Sequence, residues 1–322
     1  MKRSEKEIVL VTGGTGRLGR HVTASLINKG MEVRVLVQAK EDAVRAKAGS
    51  IPYLGDITDE KAIEKACRGA DTVIHLAAMV SQYKTGVNEI MRINTLGTKK
   101  LAESAKESGV KRMIFASTVN VYGRVRKERL SEESKLMPAD SYGESKLLAE
   151  KEIMNSGLDY TILRMATIYG PGFESSFLKV FKAVKEGKAF VIGNGNNNLS
   201  LVHISDVVKA FELVLEKKEN SRNKIYNITD GRVYTQKYLL TLAANTLGVE
   251  APKKHVNALV AKMVAKARGL DTDELRFITS DRKIDISKSR RELGFMPTES
   301  VESGAGYLLG KFNISDSKKV NR

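Results

Sequence analysis

Hydrophobic and polar positions in the first half of the chain alternate between short apolar runs and longer segments with apolar residues at helical spacing. The short runs predict strands at residues 8–11, 32–37, 51–54, 72–75, 112–116 and 160–164. The segments between them predict helices at residues 18–29, 42–48, 59–68, 87–108 and 141–155. Strands that alternate with helices form a parallel sheet covered on both faces. We therefore expect an α/β protein with a doubly wound parallel sheet of the Rossmann type, whose ligand lies at the carboxyl ends of the strands.

The turn after the first predicted strand has the spacing Gly-x-x-Gly-x-x-Gly. Its first glycine allows a tight turn, its second lets the backbone approach a pyrophosphate, and its third lets the following helix pack closely. Because the pattern lies between a predicted strand and a predicted helix, it indicates a dinucleotide site rather than an ordinary glycine-rich turn. The candidate cofactor-binding residues in this turn are Gly13, Thr15, Gly16, Arg17, Leu18 and Gly19.

Residues after the second predicted strand bear on the choice between NAD and NADP. Enzymes that select NAD usually place Asp or Glu there, where it accepts hydrogen bonds from the ribose 2′-hydroxyl. Here the position holds Gln38 and Lys40, which together with Arg17 suit a 2′-phosphate. We therefore predict NADP, with NAD as the alternative because Glu41 and Asp42 follow closely.

Two acidic residues follow the third predicted strand. Asp56 can accept a hydrogen bond from the adenine amino group, and the neighbouring Ile57 belongs to the same candidate site. Asp59 is better explained as the N-cap of the next helix. A plain turn is the alternative interpretation for both acids.

A candidate acid/base pair lies at the start of the predicted helix 141–155. Tyr142 and Lys146 are four residues apart and share one helical face. A phenol with a pKa of about 10 is a poor base, but a neighbouring ammonium and a cationic nicotinamide ring favour the phenolate. Thr118 follows the strand 112–116 and presents a hydroxyl where a Rossmann sheet binds its ligand. Tyr-x-x-x-Lys alone is common on solvated helices, so its weight comes from this context.

The amino-acid composition and the net charge limit which binding partners and which cellular location we expect. The chain has 322 residues, with 54 basic and 38 acidic residues giving a net charge of +16. An aromatic content of 6% without Trp argues against nucleic-acid binding, and an anionic cofactor or substrate explains part of the charge. No apolar run approaches the ~20 residues of a membrane span, and no signal peptide is recognised. A single cysteine and four scattered histidines predict a cytoplasmic protein without a metal site.

Seven motifs occur in the order seen in extended short-chain dehydrogenases/reductases, which the chain resembles from residue 8 to about 309. That family includes nucleotide-sugar epimerases and dehydratases, hydroxysteroid dehydrogenases and dihydroflavonol reductases. The C-terminal segment 284–297 resembles the hydroxysteroid dehydrogenase and dihydroflavonol reductase branch. The motifs lie at residues 12–19, 55–56, 75–78, 94–98, 117–123, 142–146 and 169–172.

The resemblance implies a role for each matching residue. Tyr142 would exchange the carbinol proton, Lys146 would bind the nicotinamide ribose, and Thr118 would bond the reacting oxygen. Asn94 would support the lysine. Ala77 and Ala78 would line the cofactor crevice and Asp56 would contact adenine, whereas a structural role is preferred for His75. Many relatives dimerise through the segments 87–108 and 141–155, so a homodimer is a further expectation.

The resemblance also divides the chain into a dinucleotide-binding domain at residues 1–165 and a smaller, mainly substrate-binding lobe at residues 166–312, which is interleaved with late elements of the Rossmann domain. Residues 313–322 would form a polar, frayed tail. Helices are expected at residues 173–186, 205–216, 235–247 and 254–268. Ser205 or Asp206 is expected to cap the second of these.

Two departures from the family pattern bear on the reaction. Dehydratases carry an Asp-Glu pair just after the catalytic hydroxyl, where this chain has Val119 and Asn120. Nucleotide-sugar epimerases usually carry a diphosphate-binding Arg where this chain has Leu199, and Leu cannot replace its charge-assisted bonds. Nearby basic residues could compensate for that loss, namely Arg276, Arg282 and Lys283.

The predicted helix 254–268 has apolar residues at helical spacing, and residues 251–270 contain five basic residues and no acid. Core packing with a solvated basic edge is the preferred interpretation. A lid over an apolar substrate and a contact with a membrane surface are the alternatives.

Three functions follow from these observations. The preferred one is an NADP-linked oxidoreductase that moves hydride between nicotinamide and a secondary alcohol or ketone. The alternative is a UDP-sugar epimerase with tightly bound NAD. A non-catalytic dinucleotide sensor is third, because intact Thr118, Tyr142 and Lys146 argue against it.

Overall fold

Seven parallel strands form the central sheet of the computed structural model, which describes residues 6–80, 86–267 and 277–320. The strands are β1 (Ile8–Thr12), β2 (Glu32–Val37), β3 (Ser50–Leu54), β4 (Thr72–His75), β5 (Arg112–Thr118), β6 (Val125–Leu130), β7 (Asp159–Met165), β8 (Thr167–Tyr169), β9 (Val191–Ile192), β10 (Asn198–Leu199), β11 (Leu201–His203), β12 (Lys224–Ile228), β13 (Tyr234–Thr235), β14 (His255–Val256) and β15 (Asp281–Ile284). The sheet order is β12–β7–β5–β4–β1–β2–β3, so the strand order reverses between β1 and β4. This confirms the Rossmann prediction, and ligands bind at such a reversal point.

Helices cover both faces of the sheet. They are α1 (Gly19–Asn28), α2 (Lys40–Arg45), α3 (Glu60–Cys67), α4 (Val87–Met91), α5 (Gly97–Glu107), α6 (Ser141–Asn155), α7 (Ser175–Lys185), α8 (Ile204–Glu216), α9 (Lys218–Ser221), α10 (Gln236–Leu247), α11 (Ala258–Ala267), α12 (Ser287–Leu293) and α13 (Val301–Val320). Successive residues of β1 enter opposite layers, because side chains alternate along a strand. Val9 and Val11 join the apolar cluster that includes α1 and α8, whereas Leu10 joins the cluster with α3, α5 and α6.

A further apolar cluster lies outside these two layers. It forms between α7, α10 and α13 and includes Phe181, Leu240, Leu308 and Phe312. The helix α13 continues to Val320, so the predicted fraying after residue 312 is wrong for the described part of the tail. Burial of Phe312 anchors the helix at the residue where the prediction ended it.

Three predicted helices differ from the structure. The segment 87–108 is helical but is interrupted by a π-helical turn at Arg92–Leu96. The helix predicted at 42–48 lies at Lys40–Arg45, which places Glu41 and Asp42 in the first turn, where acids favour the helix dipole. Residues 255–256 pair with β9, and Asn257 Oδ1 accepts from Leu259 N, so the helix predicted from residue 254 begins at Ala258.

The apolar face of α11 was expected to pack in the core, and this prediction is wrong for three of its side chains. Leu259, Val260 and Met263 are exposed, whereas Ala261 is buried. No helix in the described ranges combines the length and hydropathy that crossing a bilayer requires.

Candidate active site

The glycine turn between β1 and α1 lies against the end of β4. Gly13 has a φ of +69°, and a Cβ there would lie 2.7 Å from the Ala77 backbone nitrogen. A Cβ at Gly19 would overlap the Gly13 carbonyl oxygen. Among the described residues no side chain caps the N-terminus of α1, next to Leu18. The turn is therefore a cradle of bare backbone at the positive end of a helix dipole, which fits a pyrophosphate.

The structure brings two of the predicted cofactor residues together at the ends of β2 and β3. Gln38 Nε2 donates to Asp56 Oδ2 at 2.6 Å, and Asp56 Oδ1 accepts from Thr58 N and Thr58 Oγ1. Partial burial disfavours the charged carboxylate, but these hydrogen bonds and the nearby Arg92 outweigh it and lower the pKa of Asp56. The adenine and ribose end of a dinucleotide would therefore meet a preorganised amide–carboxylate pair.

The other predicted cofactor residues surround this pair and the glycine turn. Lys40 is exposed at the start of α2, and the Arg17 guanidinium lies 5.4 Å from the centre of the Phe173 ring. Ile57 is buried against Gly97, so a contact with the cofactor would come from its backbone. The residues that are half-buried along the crevice are Thr15, Ala77 and Ala78.

His75 links the glycine turn to α5 through buried hydrogen bonds. Thr98 Oγ1 donates to the Asn94 carbonyl oxygen at 2.5 Å, so it accepts from His75 Nε2 at 2.8 Å. His75 Nδ1 then accepts from Thr12 Oγ1 at 2.6 Å. Burial, reinforced by Lys146, holds the pKa of His75 well below its usual value. The ring is therefore neutral and serves as a rigid connector.

The candidate acid/base residues lie where β5 and α6 meet. Thr118 ends β5 and its Oγ1 accepts from Asn120 N at 3.2 Å, which leaves the hydroxyl proton to point elsewhere. Asp140 caps α6 by accepting from Gly143 N. A Cβ on Gly143 would lie 2.9 Å from the Asn120 carbonyl oxygen, so the start of α6 is packed directly on the turn after Thr118.

Lys146 is buried beneath this corner. Its side chain is 2% exposed, and Nζ lies 3.9 Å from the centre of the Phe115 ring. Burial lowers the pKa of Lys146 to about 7, although the Glu150 carboxylate one turn along α6 opposes the change. An anionic or hydroxyl-rich ligand that reaches this ammonium would stabilise its charge.

Asn94 joins three segments around the lysine. Its Nδ2 donates to Ser145 Oγ at 3.0 Å and to the Met79 carbonyl oxygen, and its Oδ1 accepts from Met79 N. The π-helical turn Arg92–Leu96 contains this residue, and such turns are frequent at functional sites. Asn94 therefore positions the residue next to Lys146 through Ser145.

A buried polar network behind Thr118 and Lys146 was missed by sequence reasoning. Arg164 and Glu150 form an ion pair at 2.7 Å with side chains 2% and 1% exposed. Glu150 also accepts from Ser117 Oγ, and Arg164 Nη1 donates to Tyr122 Oη at 2.9 Å. A signal was available, because Arg164 lies in an otherwise apolar strand and a buried charge requires a partner.

The comparisons with known proteins agree with this geometry. A model of the NAD dependent epimerase/dehydratase family matches residues 9–229. The chain belongs to this family. The resemblance to extended short-chain dehydrogenases/reductases is thereby confirmed, and the chain is an enzyme of that class.

Members of this family that resemble the chain catalyse different reactions. The UDP-glucose 4-epimerase of Vibrio cholerae is 27% identical over 313 residues, covering 94% of each chain. The 4-hydroxy-2-methyl-3-oxo-4-farnesyl-3,4-dihydroquinoline-1-oxide ketoreductase of Stigmatella aurantiaca is 26% identical over 319 residues, covering 92% of this chain and 94% of its own. Among solved structures, MoeE5 in complex with UDP-glucose and NAD is 25% identical, with a TM-score of 0.77 over 96% of this chain and 99% of that one.

Leu199 is the residue at which the resemblance implies that nucleotide-sugar epimerases carry a diphosphate-binding Arg. Leu199 lies on β10 with 0% exposure. Arg282 is also buried, and its Nη1 donates to the carbonyl oxygens of Val119 and Gly123 and to Asn120 Oδ1. The Arg282 guanidinium therefore stabilises the turn after Thr118 through the hydrogen bonds of Nη1. Lys283 is exposed on β15, and Arg276 lies outside the described residues.

The helix cap expected at Ser205 or Asp206 is wrong. His203 caps α8, because its Nδ1 accepts from Ser205 N. Asp206 is buried and accepts from the backbone nitrogens of Thr298 and Glu299, so it fastens the segment before α13 to α8. No group of three or more His, Cys, Asp or Glu residues in the described ranges is placed to hold a metal ion.

Proposed function

We propose that the chain is an NADP-linked oxidoreductase that moves hydride between nicotinamide and a secondary alcohol or ketone. When bound, the nicotinamide supplies or accepts the hydride. Tyr142 takes the carbinol proton in oxidation and returns it in reduction. Thr118 donates to the reacting oxygen with the proton that its bond from Asn120 N leaves unused. Its methyl group narrows the pocket relative to the Ser of many relatives.

Lys146 is the proposed electrostatic partner of Tyr142. It lies on the same face of α6, four residues along the helix. Its ammonium favours the phenolate and bonds the nicotinamide ribose, and these partners restore the charge that burial disfavours. Asn94 keeps this part of α6 in place through Ser145. The packing of α6 on the turn after Thr118 supports the three-residue constellation.

The burial of Leu199 is the observation that favours net oxidation or reduction over epimerisation of a nucleotide sugar. A nucleotide diphosphate needs a cation at the substrate site, and in this chain that family position faces the core. Arg282, one of the residues that could compensate, is buried, and its Nη1 donates to the carbonyl oxygens of Val119 and Gly123 in the turn that follows Thr118. The absence of an acid pair at Val119 and Asn120 further opposes dehydration of a nucleotide sugar.

NADP is the proposed form of the cofactor. Gln38 and Asp56 are already hydrogen-bonded to each other at the ends of β2 and β3, and Lys40, two residues after Gln38, is exposed. An exposed lysine without an acid at position 38 favours a 2′-phosphate. NAD is the alternative, because the solved relative MoeE5 holds NAD.

We assign substrate binding to residues 166–312, as the resemblance implied, with residues 1–165 for the dinucleotide and the cytoplasm as the site of action. The α7–α10–α13 cluster gives the second part an apolar core of its own. This division supports a substrate held between the carboxyl edge of the sheet and the second part of the chain.

The second candidate is a UDP-sugar epimerase. The Vibrio cholerae relative and the UDP-glucose complex of MoeE5 favour it, because the same acid/base residues would serve both reactions. In that case hydride leaves and returns, and the cofactor is not consumed.

The catalytic assignment is tested by replacing Tyr142 with Phe. Because general acid–base catalysis contributes about 10²–10⁴-fold, we expect Tyr142→Phe to lower NADPH-dependent reduction of a responsive ketone by at least about 100-fold. NADPH affinity should stay nearly unchanged. Tyr53→Phe, a change on β3, is the matched control and should retain activity. A parallel loss of cofactor binding in Tyr142→Phe would contradict the assignment.

A further inference from the structure

Asn120 lies in the turn after Thr118, and its backbone contacts both parts of the proposed catalytic site. Its backbone nitrogen donates to Thr118 Oγ1 at 3.2 Å. Its carbonyl oxygen lies 2.9 Å from where a Cβ on Gly143, the neighbour of Tyr142, would be. The other residues of the turn 119–122 are buried, whereas Asn120 is only half-buried. Asn120 is therefore the residue of this turn whose side chain a ligand can reach.

Arg282 fixes the direction in which the Asn120 amide points. Its Nη1 donates to Asn120 Oδ1 at 3.0 Å and to the carbonyl oxygens of Val119 and Gly123. A guanidinium can only donate, so the atom that faces it is the amide oxygen and not the amide nitrogen. Arg282 is only 6% exposed, and Ser200 Oγ donates to its carbonyl oxygen, so the residue is held in place. The amide nitrogen of Asn120 therefore points away from Arg282.

Asn120 Nδ2 carries two N–H groups, and no residue in the described ranges accepts a hydrogen bond from them. The atom is not among the buried polar atoms without a partner, so solvent or a ligand can reach it. Thr118, the start of α6 and Arg282 occupy the sides of Asn120 that face the protein. The remaining side opens at the carboxyl edge of the sheet, where a Rossmann fold binds its ligand.

We infer that Asn120 is a specificity-determining residue whose Nδ2 donates to a second oxygen atom of the substrate, close to the carbon that exchanges hydride. The inference rests on the proposed function and narrows its substrates to ketones with a further acceptor oxygen, such as an ether, an ester or a second carbonyl. A neutral amide neither gives up nor takes up a proton at ordinary pH. Asn120 therefore selects the substrate and takes no part in proton transfer.

Paired ketones that differ in the acceptor oxygen test this inference. Methoxyacetone is compared with methyl propyl ketone, and ethyl acetoacetate with methyl pentyl ketone, because the members of each pair have the same chain length. The measured quantity is the ratio of kcat/KM within each pair for NADPH-dependent reduction, so an effect on the chemical step itself cancels. The test variant is Asn120→Asp, which is isosteric and still accepts from Arg282 but has no N–H to donate. Urea unfolding confirms that each variant is folded.

Asn220→Asp is the matched control for the added negative charge. Asn220 is exposed on α9, and Arg112 at the start of β5 donates to the Lys218 carbonyl oxygen of that helix, so the control lies at the opposite edge of the sheet from Thr118. We expect Asn120→Asp to lower both ratios by at least about tenfold, because an acceptor then faces an acceptor. Asn120→Ala should lower them several-fold and carries the test if Asn120→Asp does not fold. The control should keep the wild-type ratios.

Unchanged ratios in the Asn120 variants would overturn the inference, even if kcat/KM for all of the ketones fell together, because Asn120 would then only support the turn. Reduction of these ketones by wild type would in that case leave the proposed reaction standing. Failure of wild type to reduce any of them with NADPH would instead count against the proposed function, and this inference would fall with it.

Discussion

The buried ion pair between Glu150 and Arg164 is the residue-scale feature with the clearest effect on stability. Removing one partner leaves a buried charge unpaired, so Glu150→Gln should lower the free energy of unfolding by about 3–5 kcal/mol. Asp159→Asn is the matched control, because its partner Arg222 is 54% exposed and such pairs contribute about 1 kcal/mol or less. Urea unfolding of both variants measures the difference. If both variants lost the same free energy of unfolding, the buried pair would contribute no more to stability than the exposed pair.

Lys40 is the residue that most directly tests the NADP proposal. If its ammonium meets the 2′-phosphate, Lys40→Glu replaces attraction by repulsion and should weaken NADPH binding by at least about tenfold. NADH binding should change far less. Lys47→Glu, a change a short distance along the chain, controls for the change in net charge. Fluorescence titration of both cofactors measures the effect, and equal weakening for NADPH and NADH would argue for NAD.

Single residues were predictable where one local rule decides. Asp59 caps α3, as the sequence indicated, because the carboxylate of an Asp immediately before a helix can accept from the free backbone N–H groups of the first turn. The cap of α8 was mispredicted because Asp206 is drawn into bonds with residues 298–299, more than 90 positions away. Such long-range partners leave no trace in a local pattern.

Among the elements, the glycine turn and α1 form the part that the cofactor proposal depends on most. Gly19→Ala would push a Cβ into the Gly13 carbonyl and displace the turn, so NADPH affinity should fall by at least about tenfold. Gly306→Ala is the matched control, because Gly306 is also helical and a Cβ there meets nothing within 4 Å. It should bind NADPH like wild type. Unchanged binding in Gly19→Ala would show that this turn does not hold the phosphates.

The long elements were predicted and the short or irregular ones were not. Strands such as β1 and β5 are buried on both faces, so most of their residues are apolar and the sequence shows them as short apolar runs. The two-residue strands β9 and β14 are too short for any periodicity to show. The π-helical turn at Arg92–Leu96 changes the helix by a single residue, which a broad 3.6-residue pattern conceals. That turn contains Asn94, a residue of the proposed catalytic site.

For the whole molecule, alternating strands and helices predicted the sheet, and its strand order places the glycine turn and the end of β4 at the reversal point. The second part of the chain was less predictable, because its cluster joins α7, α10 and α13 from segments far apart in sequence. The exposed face of α11 shows the same limit: helical spacing predicts one apolar face but not whether another element covers it.

Calorimetric titration of UDP into protein saturated with NADPH tests net redox on a non-nucleotide carbonyl most directly. Binding of NADPH is measured first, and it shows that the protein is folded and able to bind its cofactor. Because Leu199 and Arg282 are both buried and Arg282 donates to the turn after Thr118, we predict no binding of UDP in the micromolar range. Micromolar binding would contradict the proposed reaction, because it would reveal a nucleotide-diphosphate pocket and make the epimerase the better assignment.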